Sequence, residues 1–165
     1  MTSSNATRAA DNPEPRMPAR RALVAFSGQA ELPWLRLLRA GFRHCFVVIE
    51  SPGQGVPGCD AEGGWVLYNP LSNATQIALW PLHDEETIRA WLSQQGFTVV
   101  ETHVRSLTAE VLPWRPFTCV EAVKRALGLH EGWVLTPWQL YNFIKNDKKE
   151  KIILDCAGKL GYKSS

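Results

Sequence analysis

GFRHCFVVIE, residues 41–50, is the stretch that decides the fold. From Phe42 onward it is dominated by β-branched and aromatic residues, the composition that fits a pleated surface. Its two alternating rows are Phe42, His44, Phe46, Val48 and Arg43, Cys45, Val47, Ile49, and both are largely apolar. A strand that is apolar on both sides belongs in the middle of a sheet, with a covering layer on each face. The stretch therefore predicts a layered domain with Phe42 to Glu50 at its centre.

The neighbouring segments supply the rest of such a domain. Ala22 to Phe26 is a short apolar run ended by Ser27-Gly28 and reads as a second buried strand. Between them, Pro33 to Ala40 carries Trp34, Leu35, Leu37 and Leu38 and stops at Gly41, which predicts a short helix. Ser51 to Gly64 is dense in Gly and Pro and predicts a long loop, of the kind that often lies over a site. Gly64 to Asn69 and Thr75 to Trp80 flank Pro70-Leu71-Ser72-Asn73 and predict a hairpin. Asp84 is placed to cap a helix over Glu85 to Gln94, with Ile88, Trp91 and Leu92 inward and Gly96 at its end. Phe97 to Leu107 predicts another strand, with the mostly polar row Val99, Glu101, His103, Arg105. Thr118 to Leu127 and Thr136 to Lys145 predict two helices, the second with Thr136 as cap and Pro137 at its first position. The lysine-rich stretch 146–151 reads as a solvated connection, after which Ile152, Ile153 and Leu154 could dock as a strand. The fold class expected is α+β, a small antiparallel sheet packed against helices. Three regions follow: a disordered basic N-terminal arm over 1–21, one domain over 22–147 and a lysine-rich C-terminal extension over 148–165.

Bulk properties narrow the function. The chain has 165 residues, 45% of them hydrophobic, which suits one domain with a core. Seven tryptophans are spread through the part expected to fold, as core filling or as groove lining. A net charge of +2 gives no field strong enough to imply nucleic acid, and the arginines near the start and lysines near the end read as solvated ends. No apolar run reaches the roughly 20 residues of a membrane span, and residues 1–20 contain no secretory signal. A cytoplasmic protein is expected. The four cysteines, Cys45, Cys59, Cys119 and Cys156, form no C-x-x-C pair and no finger-like grouping with histidine, so neither structural zinc nor a disulfide framework is expected. No phosphate-binding loop or cofactor fingerprint is present, and no cofactor is expected.

Cys119 is the candidate with chemistry. Thr118 and Glu121 form a T-x-x-E capping box that would make Cys119 the first residue of its helix. Unpaired amides and the helix dipole there favour a thiolate, and the same amides could hold an oxyanion. The spacing of Cys119, Ala122, Val123, Ala126 and Leu127 also suits a core cysteine, and that reading stays open. His44, between Phe42 and Phe46 on the central strand, is the candidate base, with a satisfied core histidine as the alternative. His83 and His130 read as loop residues, and His103 lies on a polar row. Asn69, sharing a face with Trp65 and Leu67, could orient the imidazole, or could simply form the turn before Pro70.

The order of these pieces, a His in GFRHCFVVIE, a polar residue ending GWVLYNP and a Cys opening the helix FTCVEAVKRALG, resembles the circularly permuted papain-like families. These include the permuted NlpC-type cysteine peptidases and the lecithin:retinol acyltransferase-like enzymes. The resemblance covers about 22–129. It implies a small antiparallel sheet on the Cys helix and acyl-thioester chemistry, with Cys119 as nucleophile, His44 as base and Asn69 as orienting group. Thr118 and Val120 flank the cysteine where the acyltransferases carry Asn-Cys-Glu-His, and the small residue common after the family's histidine is absent from this chain. The expected function is a thiol-dependent hydrolase or acyltransferase, cysteine peptidase-like, acting on a peptide or acyl substrate. The alternative is a non-catalytic binding module with a papain-like shell, its tryptophans and Gly/Pro loop meeting a protein partner.

Overall fold

The computed structural model describes residues 20–30, 32–51, 63–81, 84–105 and 116–159. Five strands and three α-helices follow in the order β1 (Arg21–Ser27), β2 (His44–Ser51), β3 (Gly64–Pro70), β4 (Thr75–Trp80), α1 (Glu85–Gln94), β5 (Thr98–His103), α2 (Cys119–Leu127) and α3 (Pro137–Lys159). The strands form one antiparallel sheet in the order β4-β3-β2-β1-β5, an α+β arrangement with β2 in the middle.

The central place of β2 follows from its two apolar rows. Cys45 and Val47 join Ala22, Val24 and Phe26 of β1 in a core closed by Val120, Val123 and Leu127 of α2 and by Leu140 and Ile144 of α3. Phe46 and Val48 join Leu23, Ala25 and Trp65 on the other face, closed by Ile88 and Leu92 of α1. β1 is buried at every position from Ala22 to Ser27. Burying a side chain such as Leu23 or Val48 contributes about 1.5–3 kcal/mol, so the two cores hold the sheet from both sides.

Local signals set the element ends. The Asp84 carboxylate accepts the Thr87 N–H at 2.8 Å and starts α1. Gly128 ends α2 in the left-handed region at φ +68°, where a Cβ would also stand 3.0 Å from the Arg105 carbonyl oxygen, so only glycine fits. α3 opens with a complete capping box, formed by the T-x-x-Q pattern of Thr136 and Gln139. Thr136 Oγ1 accepts from the Gln139 N–H at 3.3 Å, and Gln139 Oε1 accepts from the Thr136 N–H at 3.0 Å.

Several expectations are corrected. Pro33–Leu37 is a 3-10 turn rather than an α-helix, with no side-chain cap and no buried residue, and Leu37 is 91% exposed. A few apolar residues without a cap or a face to bury do not sustain a helix. β1 begins at Arg21, which pairs with His103 and bonds Glu50 at 2.6 Å, so Arg21 belongs to the sheet and not to the arm. The lysine-rich stretch is neither a connection nor the prelude to a strand. α3 runs through it to Lys159, past the boundary expected at 147. No Gly or Pro interrupts that run before Gly158, and two of its charged residues reach β5 and the segment after it: Lys148 to Glu101 at 2.6 Å and Asp147 to Arg105 at 3.1 Å. The expected loop lies mostly at 52–62, and the expected arm at 1–19, outside the described residues. Among the described residues no helix is long and apolar enough to cross a membrane.

Candidate active site

The site lies where β2 begins. Pairing of β2 with β1 extends back to His44↔Ser27, whereas pairing of β2 with β3 runs only from Val47↔Tyr68 to Ser51↔Gly64. Residues 44–46 are therefore laddered on one side only, and the sheet opens between β2 and β3 at this end. Asn69 follows Tyr68 on the far side of the opening, held in register with Gln76 of β4.

His44 and Asn69 meet across it. His44 Nε2 stands 2.8 Å from Asn69 Oδ1. An amide oxygen only accepts, so Nε2 carries the proton and Nδ1 is the ring nitrogen left for another partner. The Asn69 amide is itself oriented, because its Nδ2 donates to Gln76 Oε1 at 3.3 Å. With Phe46, Leu71 and Phe97, these two side chains line an open depression of about 90 Å³. That is room for a small group, since a single water needs about 10–15 Å³ on the same measure. Cys119 does not line the depression.

Cys119 comes to His44 from the α2 side. It is the first residue of α2, half-buried, and packs against the core that includes Cys45. Its sulfur shares hydrogen bonds with the Cys45 thiol, the His44 ring and the Cys45 backbone N–H. The Cys45 hydrogen bond is the strongest influence on its acidity. It works against burial, which opposes the thiolate, and with the His44 hydrogen bond and charge it brings the Cys119 pKa down to about 5. Cys45 is fully buried, and burial first, then the contact with Cys119, pushes its own thiol well above the ordinary range. The pair thus divides the roles: Cys119 is the anion and Cys45 the donor. Both are free thiols.

The helix start supports the anion less completely than the sequence predicts. Thr118 Oγ1 accepts from the Glu121 N–H at 3.2 Å, half of the expected capping box. The Glu121 carboxylate turns instead to Lys124 Nζ at 3.0 Å and Arg125 Nε at 3.0 Å. Those two cations offset its charge close to Cys119. Lys124 is only 1% exposed and also donates to the Val134 carbonyl at 3.2 Å, tying α2 to the segment before α3. Thr118 takes the Glu121 N–H with its hydroxyl and the Ala122 N–H with its carbonyl, so the cap does not engage the Cys119 amide.

The structure therefore brings Cys119, His44 and Asn69 into one hydrogen-bonded chain. His103 is exposed on β5, His130 follows α2, and His83 lies outside the described residues. Two members of the site were missed in the sequence. Cys45 was visible as the residue after His44 on the opposite row of β2, the row that a covering helix must meet. Gln76 was visible only once the hairpin register was known. Among the described residues no three or more His, Cys, Asp or Glu side chains are grouped to hold a metal ion.

No protein-family model, curated protein or solved structure matches the chain.

Proposed function

We propose that the chain is a thiol-dependent hydrolase or acyltransferase, cysteine peptidase-like and of the permuted papain-like kind, which acts on an amide or ester through an acyl-thioester at Cys119. The observation that carries this reading is the chain of contacts from Asn69 to His44 to Cys119, with a 2.8 Å link between the first two. A nucleophile, a proton carrier and a group that orients the carrier are the parts such chemistry requires.

In this reading the Cys119 thiolate attacks the substrate carbonyl and the carbon–sulfur bond forms. Negative charge moves to the carbonyl oxygen, for which the Cys119 amide at the helix start is a donor. As the tetrahedral centre collapses, the bond to the leaving amine or alcohol breaks, and His44 Nδ1 gives that group its proton. Water or an acceptor amine then attacks the thioester and gives its proton back to His44, and the thiolate is restored. Asn69 holds Nε2 throughout, so that Nδ1 stays directed at the sulfur. The depression beside His44 and Asn69 suits a short substituent next to the reacting carbonyl. A reducing, cytoplasmic setting goes with two free thiols in contact.

The test uses the p-nitrophenyl ester of a short fatty acid and peptide mass spectrometry. One acyl group is expected on Cys119 and none in Cys119→Ser; with the matching p-nitroanilide, whose leaving amine must be protonated, formation should be slowed by about 10²–10⁴ in His44→Ala, the usual worth of a positioned proton carrier. Acylation spread over surface lysines, or a Cys119 adduct that forms from the anilide equally fast in His44→Ala, would exclude the reading.

A further inference from the structure

Cys45 has no part in the proposed acyl transfer, yet it is the strongest influence on the nucleophile. It is a fully buried thiol on the central strand. It touches neither solvent nor the depression beside His44, and it donates to the sulfur of a half-buried thiolate. A core position on β2 could be filled by valine or alanine, as Val47 and Ala25 show nearby. A second thiol in hydrogen-bond contact with an anionic one has chemistry that those residues lack.

We infer that Cys119 and Cys45 form a peroxide-sensitive pair, with Cys119 as the thiol that is oxidised and Cys45 as the thiol that resolves it into an intramolecular disulfide. The first step transfers the terminal oxygen of a hydroperoxide to the Cys119 thiolate. The oxygen–oxygen bond breaks, a sulfur–oxygen bond forms, and the departing hydroxide or alkoxide takes a proton from the medium. In the second step the Cys45 sulfur attacks the Cys119 sulfenic acid. The sulfur–sulfur bond forms, the sulfur–oxygen bond breaks, and the Cys45 proton leaves with the hydroxyl group as water. Two thiols together lose two electrons and two protons, and the peroxide takes them up.

The placement of the two residues favours this route over further oxidation. A sulfenic acid with no thiol at hand proceeds to the irreversible sulfinic and sulfonic acids. In this fold the second sulfur is already in hydrogen-bond contact, on a strand laddered to β1 from its first residue and under a capped helix start. The sulfurs need only close to ~2.05 Å. The disulfide removes the nucleophile and is restored by a reductant, so the site would be held inactive but intact under oxidative conditions. The inference rests on the proposed function only in taking Cys119 as the anionic thiol.

The experiment treats the whole protein with hydrogen peroxide, in the presence and absence of dimedone, a sulfenic-acid trap, and maps all four cysteines by non-reducing peptide mass spectrometry. The expected product is a Cys45–Cys119 cross-linked peptide, reversed by dithiothreitol, with little dimedone on Cys119. In Cys45→Ala the expected products are dimedone-labelled Cys119 and, without the trap, irreversible addition of two or three oxygens. Cross-links from Cys119 to Cys59 or Cys156, wild-type Cys119 that overoxidises without a cross-link, or Cys119 that peroxide leaves unchanged would each overturn the inference, and none of these needs the variant to fold. Acylation by the p-nitrophenyl ester, run on the same sample, separates the two proposals. A cross-link without acylation removes the acyl-transfer reading and keeps the redox pair, while acylation without a cross-link does the reverse.

Discussion

The pKa of Cys119 gives a prediction with a sign and a size at each pH. At pH 5.5 a thiol of pKa about 5 is roughly three-quarters thiolate, whereas an ordinary thiol of pKa ~8.5 is about 0.1% thiolate. The ratio of reactive forms is therefore of order 700. A less basic thiolate is also a weaker nucleophile. With a Brønsted slope of ~0.45 over ~3.5 pKa units, each Cys119 thiolate reacts about 40-fold more slowly. The net lead of Cys119 over a free thiol is about 20-fold at pH 5.5, close to none at pH 7, and reversed above it.

The assay is reaction with 4,4′-dithiodipyridine across pH 4 to 9, followed by release of the thiopyridone, with glutathione as the reference thiol. Partial burial of Cys119 slows every point by the same factor, so the decisive feature is the shape of the profile. The Cys119 rate should rise to a plateau by about pH 6 while glutathione continues to climb about tenfold per unit. Because the contacts with Cys45 and with His44 both lower the Cys119 pKa, Cys45→Ala and His44→Ala should each move the inflection upward. A Cys119 profile parallel to glutathione, with its inflection near 8.5, would refute a thiolate stabilised by Cys45 and His44.

Three further outcomes are expected. Asn69→Ala removes one hydrogen bond from the charged imidazole, worth about 1.5–3 kcal/mol, so anilide acylation of Cys119 should slow about 10- to 150-fold with a loss of stability no larger than that; an unchanged rate would remove Asn69 from the site. Lys124→Ala leaves Glu121 with Arg125 alone in a buried place and frees the Val134 carbonyl, so urea unfolding should show a loss of about 3 kcal/mol, the low end for a broken buried pair, and a loss under about 1 kcal/mol would contradict the burial of that pair. Glu50 lies below the ordinary carboxylate range, chiefly through the hydrogen bond from Arg21. Its folded value is thus lower than its unfolded one, and its contribution is complete above about pH 4.3 and lost as pH falls through the folded value. Arg21→Gln should therefore reduce the difference in urea midpoint between pH 7 and pH 3, and an unaltered difference would count against the pairing.

What could be read in the sequence follows the strength of the physical signals. β2 was legible because its residues specify two apolar faces at once, and only a central strand accommodates both. α1 and α2 were legible through Asp84 and Thr118, whose short oxygen-bearing side chains act within one turn. The extent of α3 was not, because its lysines read as a solvated run, and the partners of two of its charged residues, Glu101 and Arg105, come from β5 and the segment after it. Lys124 was hidden for the same reason: a lysine followed by an arginine reads as surface, and its burial depends on Glu121 and the Val134 carbonyl converging on it. The site divides in the same way. Cys119, His44 and Asn69 each carry a local cue, but the contact between Cys45 and Cys119 exists only after α2 has settled on the β2 row that begins with Cys45.

That contact binds reactivity to vulnerability. His44 and Cys45 are consecutive on a strand, so they lie on opposite faces of the sheet, and Cys119 meets both because β2 and β3 part at the end where β2 starts. The Cys45 thiol that lowers the Cys119 pKa through its hydrogen bond is the same thiol that stands ready to trap an oxidised Cys119. A substitution at position 45 cannot separate the two effects. Removing the sulfur should raise the Cys119 pKa, which makes each thiolate a stronger nucleophile while the thiolate share at neutral pH falls by less, and should also leave any sulfenic acid that does form without a partner. The variant is thus expected to be oxidised faster at first at neutral pH and less reversibly in the end. Time courses of peroxide loss and of recovery with dithiothreitol should diverge in opposite directions from the wild type. Parallel changes in both would mean that Cys45 acts only by filling the core.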